Sequence, residues 1–490
     1  MKFLLDTNII IPLEPALSSD IEPSSAQAAE LLRLAQEGVR HDLFIHPTLR
    51  ADFMRDRNID RAALRSILLA KYRQLEQTPP PSPELVQAFG APVEGTNDWV
   101  DLQLLGAVHA DAVDYLVTED AGIHRRARRV ELGSRVLYLA DALAVLRGLL
   151  PTPPPAPPAV ERVPIYQLSS EDPIWGSLRL DYPGFDEWLR KSKREHRMGW
   201  VVWGPDRKEV AGLCLMKSET GPEFGMEGKL LKLATFKVSE RHRGFRYGEL
   251  LMKAAFNSGY EEGFDWIYVT AFPKQAELIS MFENFGFDEW PERKASGELV
   301  LRKPLKASNE DRETMTPMAF HRRYGPRLLK VGGAQTHVVP IQPRYHAILF
   351  PEAEAQLTLT AGEHPFGNSI RKAYLCHAQT RQIQPGDVLL FYRSQQGQCV
   401  KVVGVAEETL VSNNVEVIAR FVGTRTVYSY EQIQELAVKP VLAILFRQAK
   451  LLTPPLPLKE LLRNGVMGGA PQSIVTASEE ARPYLTRVLS

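Results

Sequence analysis

Short apolar runs that end in polar turn residues punctuate the first part of the chain. Phe3-Leu4-Leu5 runs into Asp6-Thr7-Asn8, Leu43-Phe44-Ile45 repeats the apolar triplet, and Tyr115-Leu116-Val117 runs into Thr118-Glu119-Asp120. Runs of this length predict buried strands with the acids at their carboxyl ends, which is where ligands bind in open α/β sheets. Asp6 and Asn8 read equally well as caps of a following helix. Between the strands the period lengthens. Residues 27–37 carry Ala28, Leu31, Leu32 and Ala35 at helical spacing, and residues 99–110 carry Val100, Leu104, Leu105 and Val108. Asp98 and Asp101, three apart, then share one face of that helix's first turn. A further helix opens at Pro47 and contains Asp52, beside a basic stretch of Arg50, Arg55, Arg57, Arg61 and Arg65.

The middle of the chain predicts a hairpin from residues 199–203 and 210–215 around Gly204-Pro205-Asp206. Residues 231–238 alternate as a strand and lead into Ser239-Glu240-Arg241-His242-Arg243-Gly244-Phe245-Arg246-Tyr247-Gly248-Glu249-Leu250-Leu251. Strand, basic glycine-bearing turn and amphipathic helix together make an anion-binding helix N-terminus, with Arg241, Arg243 or Arg246 reaching the phosphates. Residues 266–271 predict the next strand, and residues 276–285 a helix stopped by Gly286. In the last part, residues 346–350, 388–392, 399–406, 415–421 and 441–447 are short β-branched runs separated by turns, a spacing that predicts a small barrel.

Composition sets the frame around these elements. The 490 residues hold 59 Lys and Arg against 59 Asp and Glu, so any charge-driven partner must meet a local patch. Cys214, Cys376 and Cys399 are odd in number, far apart and in no Cys-x-x-Cys pair, which argues for a reducing compartment and against a structural zinc site. Asp6 and Asn8 interrupt the N-terminal apolar stretch, which is unlike a signal peptide, and no apolar run approaches bilayer length. The expectation is a soluble, cytoplasmic protein with no membrane partner. Pro151-Thr152-Pro153-Pro154-Pro155-Ala156-Pro157-Pro158 predicts an extended spacer. Polar Ser308-Asn309-Glu310-Asp311-Arg312-Glu313, Gly332-Gly333 and Pro340 mark a second boundary. The expected organisation is therefore a domain at 1–150, a linker at 151–162, a domain at 163–305, a linker at 306–340 and a domain at 341–490.

Each segment carries a family resemblance. Asp6-Thr7-Asn8, Asp101-Leu102-Gln103-Leu104-Leu105-Gly106-Ala107 and Leu116-Val117-Thr118-Glu119-Asp120 together resemble the PIN-domain family, α/β sandwiches that are mostly Mg²⁺- or Mn²⁺-dependent ribonucleases. The resemblance implies an acidic set of Asp6, Asp52, Asp101 and Asp120, with Thr118 nearby, the metal falling to Asp6, Asp101 and Asp120. Crowded carboxylates repel, and a hard divalent ion with oxygen ligands relieves that repulsion while activating water. Val238-Ser239-Glu240-Arg241-His242-Arg243-Gly244, Gly248-Glu249-Leu250-Leu251 and Phe282-Glu283-Asn284-Phe285-Gly286-Phe287 resemble the GNAT acetyltransferase fold. This implies an α+β domain with acetyl-CoA held by Val238, Arg241, Arg243, Gly244, Arg246 and Gly248. Two positions depart from the family: Arg246 replaces a glycine of the turn, and Phe282 replaces a tyrosine that protonates the leaving thiolate in many members. Tyr247, Tyr268 or water are the possible substitutes. Pro385-Gly386-Asp387-Val388-Leu389-Leu390-Phe391-Tyr392 and Gly404-Val405-Ala406 resemble PUA-like modules of the ASCH and EVE type, which implies a β-barrel that binds RNA. Arg371, Lys372 and Arg393 would meet phosphates, while Arg381, Tyr374 and Tyr392 could add charge and stacking faces.

The combined expectation is a multidomain α/β protein: PIN-like α/β/α sandwich, GNAT-like α+β domain, PUA-like barrel. Its expected activity is metal-dependent RNA cleavage, on a tRNA or another structured RNA, with acetyl-CoA as a second ligand. One alternative is an N-acetyltransferase acting on an RNA-bound or protein amine, with the first domain only docking nucleic acid. Another is a non-catalytic adaptor that binds RNA and CoA.

Overall fold

The computed structural model describes residues 1–13, 24–36, 41–49, 69, 72–76, 78–149, 160–204, 207–353, 369–395 and 397–489. The chain forms two compact units, Met1–Pro151 and Thr152–Ser490. No helix among the described residues is long and apolar enough to cross a membrane.

The first unit contains β1 (Lys2–Leu5), α1 (Thr7–Leu13), α2 (Ser25–Gln36), β2 (Asp42–Ile45), β3 (Arg73–Gln74), α3 (Pro83–Phe89), α4 (Asn97–His109), β4 (Tyr115–Val117), α5 (Ala121–Arg129), β5 (Val136–Leu137) and α6 (Leu139–Leu149). Its described strands are parallel, in the order β3-β2-β1-β4-β5. Phe3, Leu4 and Leu5 are wholly buried in the central strand, as covering on both faces requires. The connection from β1 goes first to β2 on one side and later to β4 on the other. The carboxyl ends of β1 and β4 therefore flank the point where strand order reverses, and Asp6 and Thr118 lie there.

The second unit begins with β6 (Val160–Pro164), α7 (Gly176–Asp181), α8 (Phe185–Arg194), β7 (Met198–Trp203), β8 (Val210–Thr220) and β9 (Lys229–Val238). It continues with α9 (Tyr247–Glu261), β10 (Trp266–Ala271), α10 (Ala276–Asn284), β11 (Asp288–Glu289) and β12 (Leu299–Pro304). These strands form one sheet in the order β11-β12-β10-β9-β8-β7-β6. Leu231 and Leu233 of β9 face α9 and α10 on one side of it. Leu213 and Leu215 of β8 face α7 and α8 on the other.

The stretch expected to be a linker is folded. It holds α11 (Asn309–Thr314), α12 (Pro317–Tyr324) and most of β13 (Thr336–Ile341). Next come α13 (Pro343–Leu349), β14 (Arg371–Cys376), β15 (Val388–Arg393), β16 (Cys399–Ser412), α14 (Val415–Val422), α15 (Tyr430–Leu436), β17 (Val441–Pro457), α16 (Leu458–Arg463), β18 (Val475–Thr476) and α17 (Arg482–Leu489). The strands run in the order β14-β17-β16-β15-β13-β18, so among the described residues the expected barrel is a bent sheet with two edges. Register shifts in the β16–β17 pair at Val400/Val402, Val403/Gly404 and Ala406/Glu408 supply the bends.

Two expected strands are helices. Residues 346–350 fall largely within α13, which Pro343 opens at its first turn. Residues 415–421 fall within α14, where the Asn414 side chain accepts the Val417 amide at 3.0 Å and Ile418, Ala419 and Val422 make one buried face.

The last module is welded to the one before it. Lys303 of β12 is fully buried and donates to the carbonyls of Arg322 and Arg323 at 2.9 and 2.6 Å, closing the end of α12. Burial holds its ammonium pKa well below the ordinary lysine range. Tyr260 of α9 donates to the Tyr324 carbonyl at 2.6 Å, and Lys253 of α9 pairs with Glu352 at 3.1 Å. Ile370, just before β14, belongs to the apolar core beneath α9.

Candidate active site

The central feature lies where β9 leaves β10. The two pair in parallel only from Leu230–Trp266 to Leu233–Val269, while β9 continues to Val238 and β10 to Ala271. The register with β8 shifts at the same place: Leu215 opposes Thr235 and Met216 opposes Leu233, so Ala234 is an extra, bulged residue. A bulge bends its strand and interrupts pairing. Beyond it, residues 234–238 border a gap in the sheet whose unpaired backbone groups suit an extended, amide-bearing ligand.

The basic turn stands at the end of this gap. Gly244 and Arg246 have positive φ, 84° and 58°, and Arg246 is the residue immediately before α9. The backbone therefore keeps a glycine-like conformation although arginine occupies the position, at a cost of roughly 1–2 kcal/mol. Arg241 and Arg243 have side chains 78% and 38% exposed and lie 3.5 and 3.8 Å from the carboxylates of Glu209 and Glu277. Arg246 is held by Glu249 at 3.2 Å. Gly248 lets α9 approach α10, since a Cβ there would lie 2.9 Å from Met281 Sδ. Val238 ends β9 opposite Gly212 of β8.

The other face of the gap is polar. Lys232 of β9 stands beside Tyr268 of β10 and Lys217 of β8, and Thr270 follows Tyr268 on the same face. Glu298, 6% exposed, accepts Thr270 Oγ1 at 3.0 Å, Ser296 Oγ at 2.8 Å and the Tyr182 hydroxyl at 3.4 Å, and lies 3.6 Å from the Lys294 ammonium. Burial would raise its pKa, but the Ser296 and Thr270 hydrogen bonds and the Lys294 charge outweigh burial and hold it below the usual range. An ionised carboxylate thus stands beside the parted strands. Glu298, Thr270, Tyr182 and Lys232 escaped the sequence reading. The one available signal was Lys232 between Leu231 and Leu233, both buried.

Phe282 is fully buried, its ring 5.2 Å from Phe236 and 4.8 Å from Phe287, so an apolar cluster fills the place of the family's acid. Neither expected tyrosine replaces it. Tyr247 is 2% exposed and packs in the core beside Phe245. The Tyr268 hydroxyl donates to Glu219, and burial and that carboxylate raise its pKa beyond the ordinary phenol range.

In the first unit Asp6, Asp101 and Asp120 come near one another. Asp101 is raised to about 7 by burial, then by the charges of Asp120 and Asp6, with Arg126 opposing. Each acid also has an internal task. Asp6 accepts Thr118 Oγ1 at 2.6 Å, Asn8 Nδ2 at 2.9 Å and the Thr7 amide at 2.6 Å. Asp120 caps α5 through the Ile123 amide at 2.9 Å, and Arg126 holds Asp101 at 2.8 Å as well as Asp98. Among the described residues no three acidic, imidazole or thiol side chains form a group able to hold a metal. The described acids alone do not complete a seat for Mg²⁺ or Mn²⁺. Asp52 lies outside the described residues, as do Arg50, Arg55, Arg57, Arg61 and Arg65.

Burial overturns one expected phosphate contact of the last module. Lys372 is wholly buried, its ammonium depressed by burial and by Lys253, and has no surface to offer a nucleic acid. Arg371 is locked to Glu407 at 2.7 Å, and the same carboxylate holds Arg447 at 2.7 Å. Arg393 is half-buried at the end of β15. Tyr374 is committed to the Pro340 carbonyl at 2.6 Å. Tyr392 is 1% exposed.

A search of curated proteins finds no match to the chain. Among solved structures, an ASCH protein variant from Zymomonas mobilis is 12% identical over 31% of this chain and 94% of its own, with a TM-score of 0.25. A GNAT-family acetyltransferase from Staphylococcus aureus Mu50 is 13% identical over 30% of this chain and all of its own, at 0.23. An acyl-CoA N-acyltransferase described as putative, from Klebsiella pneumoniae, is 15% identical over 30% and 98%, at 0.22. Residues 162–287, which contain the parted strands, the basic turn and α9, match the model of the acetyltransferase (GNAT) family.

Proposed function

We propose that the chain transfers the acyl group of an acyl-coenzyme A to an amine at the gap between β9 and β10. The observation that carries this reading is the parting of the two strands at the Ala234 bulge, directly before the basic turn and α9. Residues 234–238 would hold the pantetheine arm, and Arg241, Arg243 and the amides opening α9 the pyrophosphate. The thioester supplies the activated carbonyl. On the opposite face, the ionised Glu298 attracts an ammonium and orients the amine once solvent has taken its proton. The nitrogen lone pair attacks the carbonyl carbon, the nitrogen gives up its second proton to solvent, and the C–S bond breaks. A thiol with a pKa near about 8.5 leaves as its thiolate without a proton from the protein, consistent with phenylalanine at position 282.

Glu298→Gln should raise the KM of the amine about tenfold while leaving that of acetyl-CoA within about twofold, read by thiol release. An unchanged amine KM, or no thiol release with any amine from the parent chain, contradicts the reading.

A second reading belongs to the first unit. The crowding that raises Asp101 is what a divalent ion relieves, and it supports Mg²⁺- or Mn²⁺-dependent RNA cleavage of the PIN type. Asp6→Asn should abolish such cleavage; cleavage that survives the substitution removes this reading.

A further inference from the structure

Beside the gap, on the face that carries Glu298, lies a cavity of about 530 Å³ lined by Lys217, Glu219, Glu223, Lys232, Tyr268 and Lys294, among others. Most of its charges are engaged. Glu219 takes the Lys217 ammonium at 2.6 Å and the Tyr268 hydroxyl, while Lys294 lies 3.6 Å from Glu298. Lys232 and the Glu223 carboxylate form no contact ion pair among the described residues. Lys232 is half-buried between Lys217 and Tyr268 in the sheet; among the described residues it makes no hydrogen bond, and its ammonium lies 5.6 Å from the centre of the Tyr268 ring. Glu219 and Glu298 act on it only at longer range, and burial lowers its pKa. A partly desolvated ammonium that faces a cavity without a carboxylate in contact is completed by an anion. The same face thus offers a carboxylate next to the reacting gap and, further along, a cation whose contact is the Tyr268 ring rather than a carboxylate.

We propose that the amine acceptor carries an anionic group, a carboxylate or a phosphate, which Lys232 binds while Glu298 holds the amine end. This rests on the acyl-transfer reading of the neighbouring gap and adds the substrate class. The acceptor is a small zwitterion rather than a plain alkylamine. Lys217 and Lys294 are committed to acids and raise the local potential without replacing Lys232.

The test uses the full chain, saturating acetyl-CoA and matched acceptors: β-alanine against β-alaninamide, and O-phosphoethanolamine against ethanolamine. The first pair reports a carboxylate and the second a phosphate. In at least one pair the anionic member should show a KM about tenfold lower than its neutral partner. Lys232→Gln should raise that KM about tenfold and so bring it to that of the neutral partner. Equal KM values in both pairs, or a preference that survives Lys232→Gln, overturn the proposal. Calorimetric binding of the same four compounds separates the two readings. Anion-dependent binding that Lys232→Gln removes, in a chain that releases no thiol, keeps the pocket and ends the acyl-transfer reading. Thiol release from all four compounds alike does the reverse, and no binding of either anionic compound also overturns the pocket.

Discussion

Asp101 carries a consequence that can be measured at the level of one side chain. Its pKa rises from 3.8 to about 7 because burial and the charges of Asp120 and Asp6 disfavour ionisation. The folded chain therefore holds this proton more tightly than the unfolded one. The stability it contributes is complete below the unfolded value and is lost as pH climbs through the folded one. Asp101→Asn removes the ionisation, so at pH 8 it should stabilise the first unit by roughly 1–3 kcal/mol, Arg126 retaining Asp98, and at pH 4 leave it nearly unchanged. Thermal unfolding at the two pH values reads this directly. Equal destabilisation at both would mean that the ion pair with Arg126 dominates. The clustering itself was legible in the sequence, because Asp6 and Asp120 each follow a short apolar strand and Asp101 shares a helix face with Asp98. Arg126, which neutralises that face from α5, was not legible, since it lies 25 residues beyond Asp101 and belongs to no motif.

Elements fared according to how much of their signal is local. The basic turn and α9 were readable because strand, glycine and amphipathic period follow one another in sequence. Residues 415–421 were misread because Val415, Val417 and Ile418 favour a strand, although the Asn414 cap and the helical spacing of Ile418, Ala419 and Val422 were there to be read. Lys303 and Lys372 look like surface residues in any sequence; only tertiary contacts show that they are buried. The junction at the start of α9 shows the same dependence. Glu249 receives the Ile370 amide at 2.8 Å as well as Arg246, and so ties the opening turn of the helix to the strand module that follows. Glu249→Ala leaves that buried amide without an acceptor and should destabilise the second unit by about 1–3 kcal/mol. Glu249→Gln keeps an acceptor oxygen and should cost about half as much or less. Denaturant unfolding that gives equal losses for both variants would assign the effect to charge rather than to the amide.

At the scale of the molecule, the proline-rich stretch separates two compact units, whereas the second expected boundary does not separate anything. α12 packs against Lys303 and Tyr260, and Lys253 reaches Glu352, so the acetyltransferase-like and strand-rich modules belong to one compact unit. Polar residues and glycines at 306–340 suggested a linker because turns and capped short helices use the same residues. The two units should therefore unfold as separate transitions, with the second module and the third melting together. Scanning calorimetry of the full chain with and without acetyl-CoA tests the central claim most directly. At about a hundred times its dissociation constant the ligand adds roughly 2.7 kcal/mol to the unit that binds it. The account predicts that the Thr152–Ser490 transition moves up by a few degrees and the Met1–Pro151 transition stays in place. A scan in which acetyl-CoA moves neither transition, or moves only that of the first unit, would contradict it.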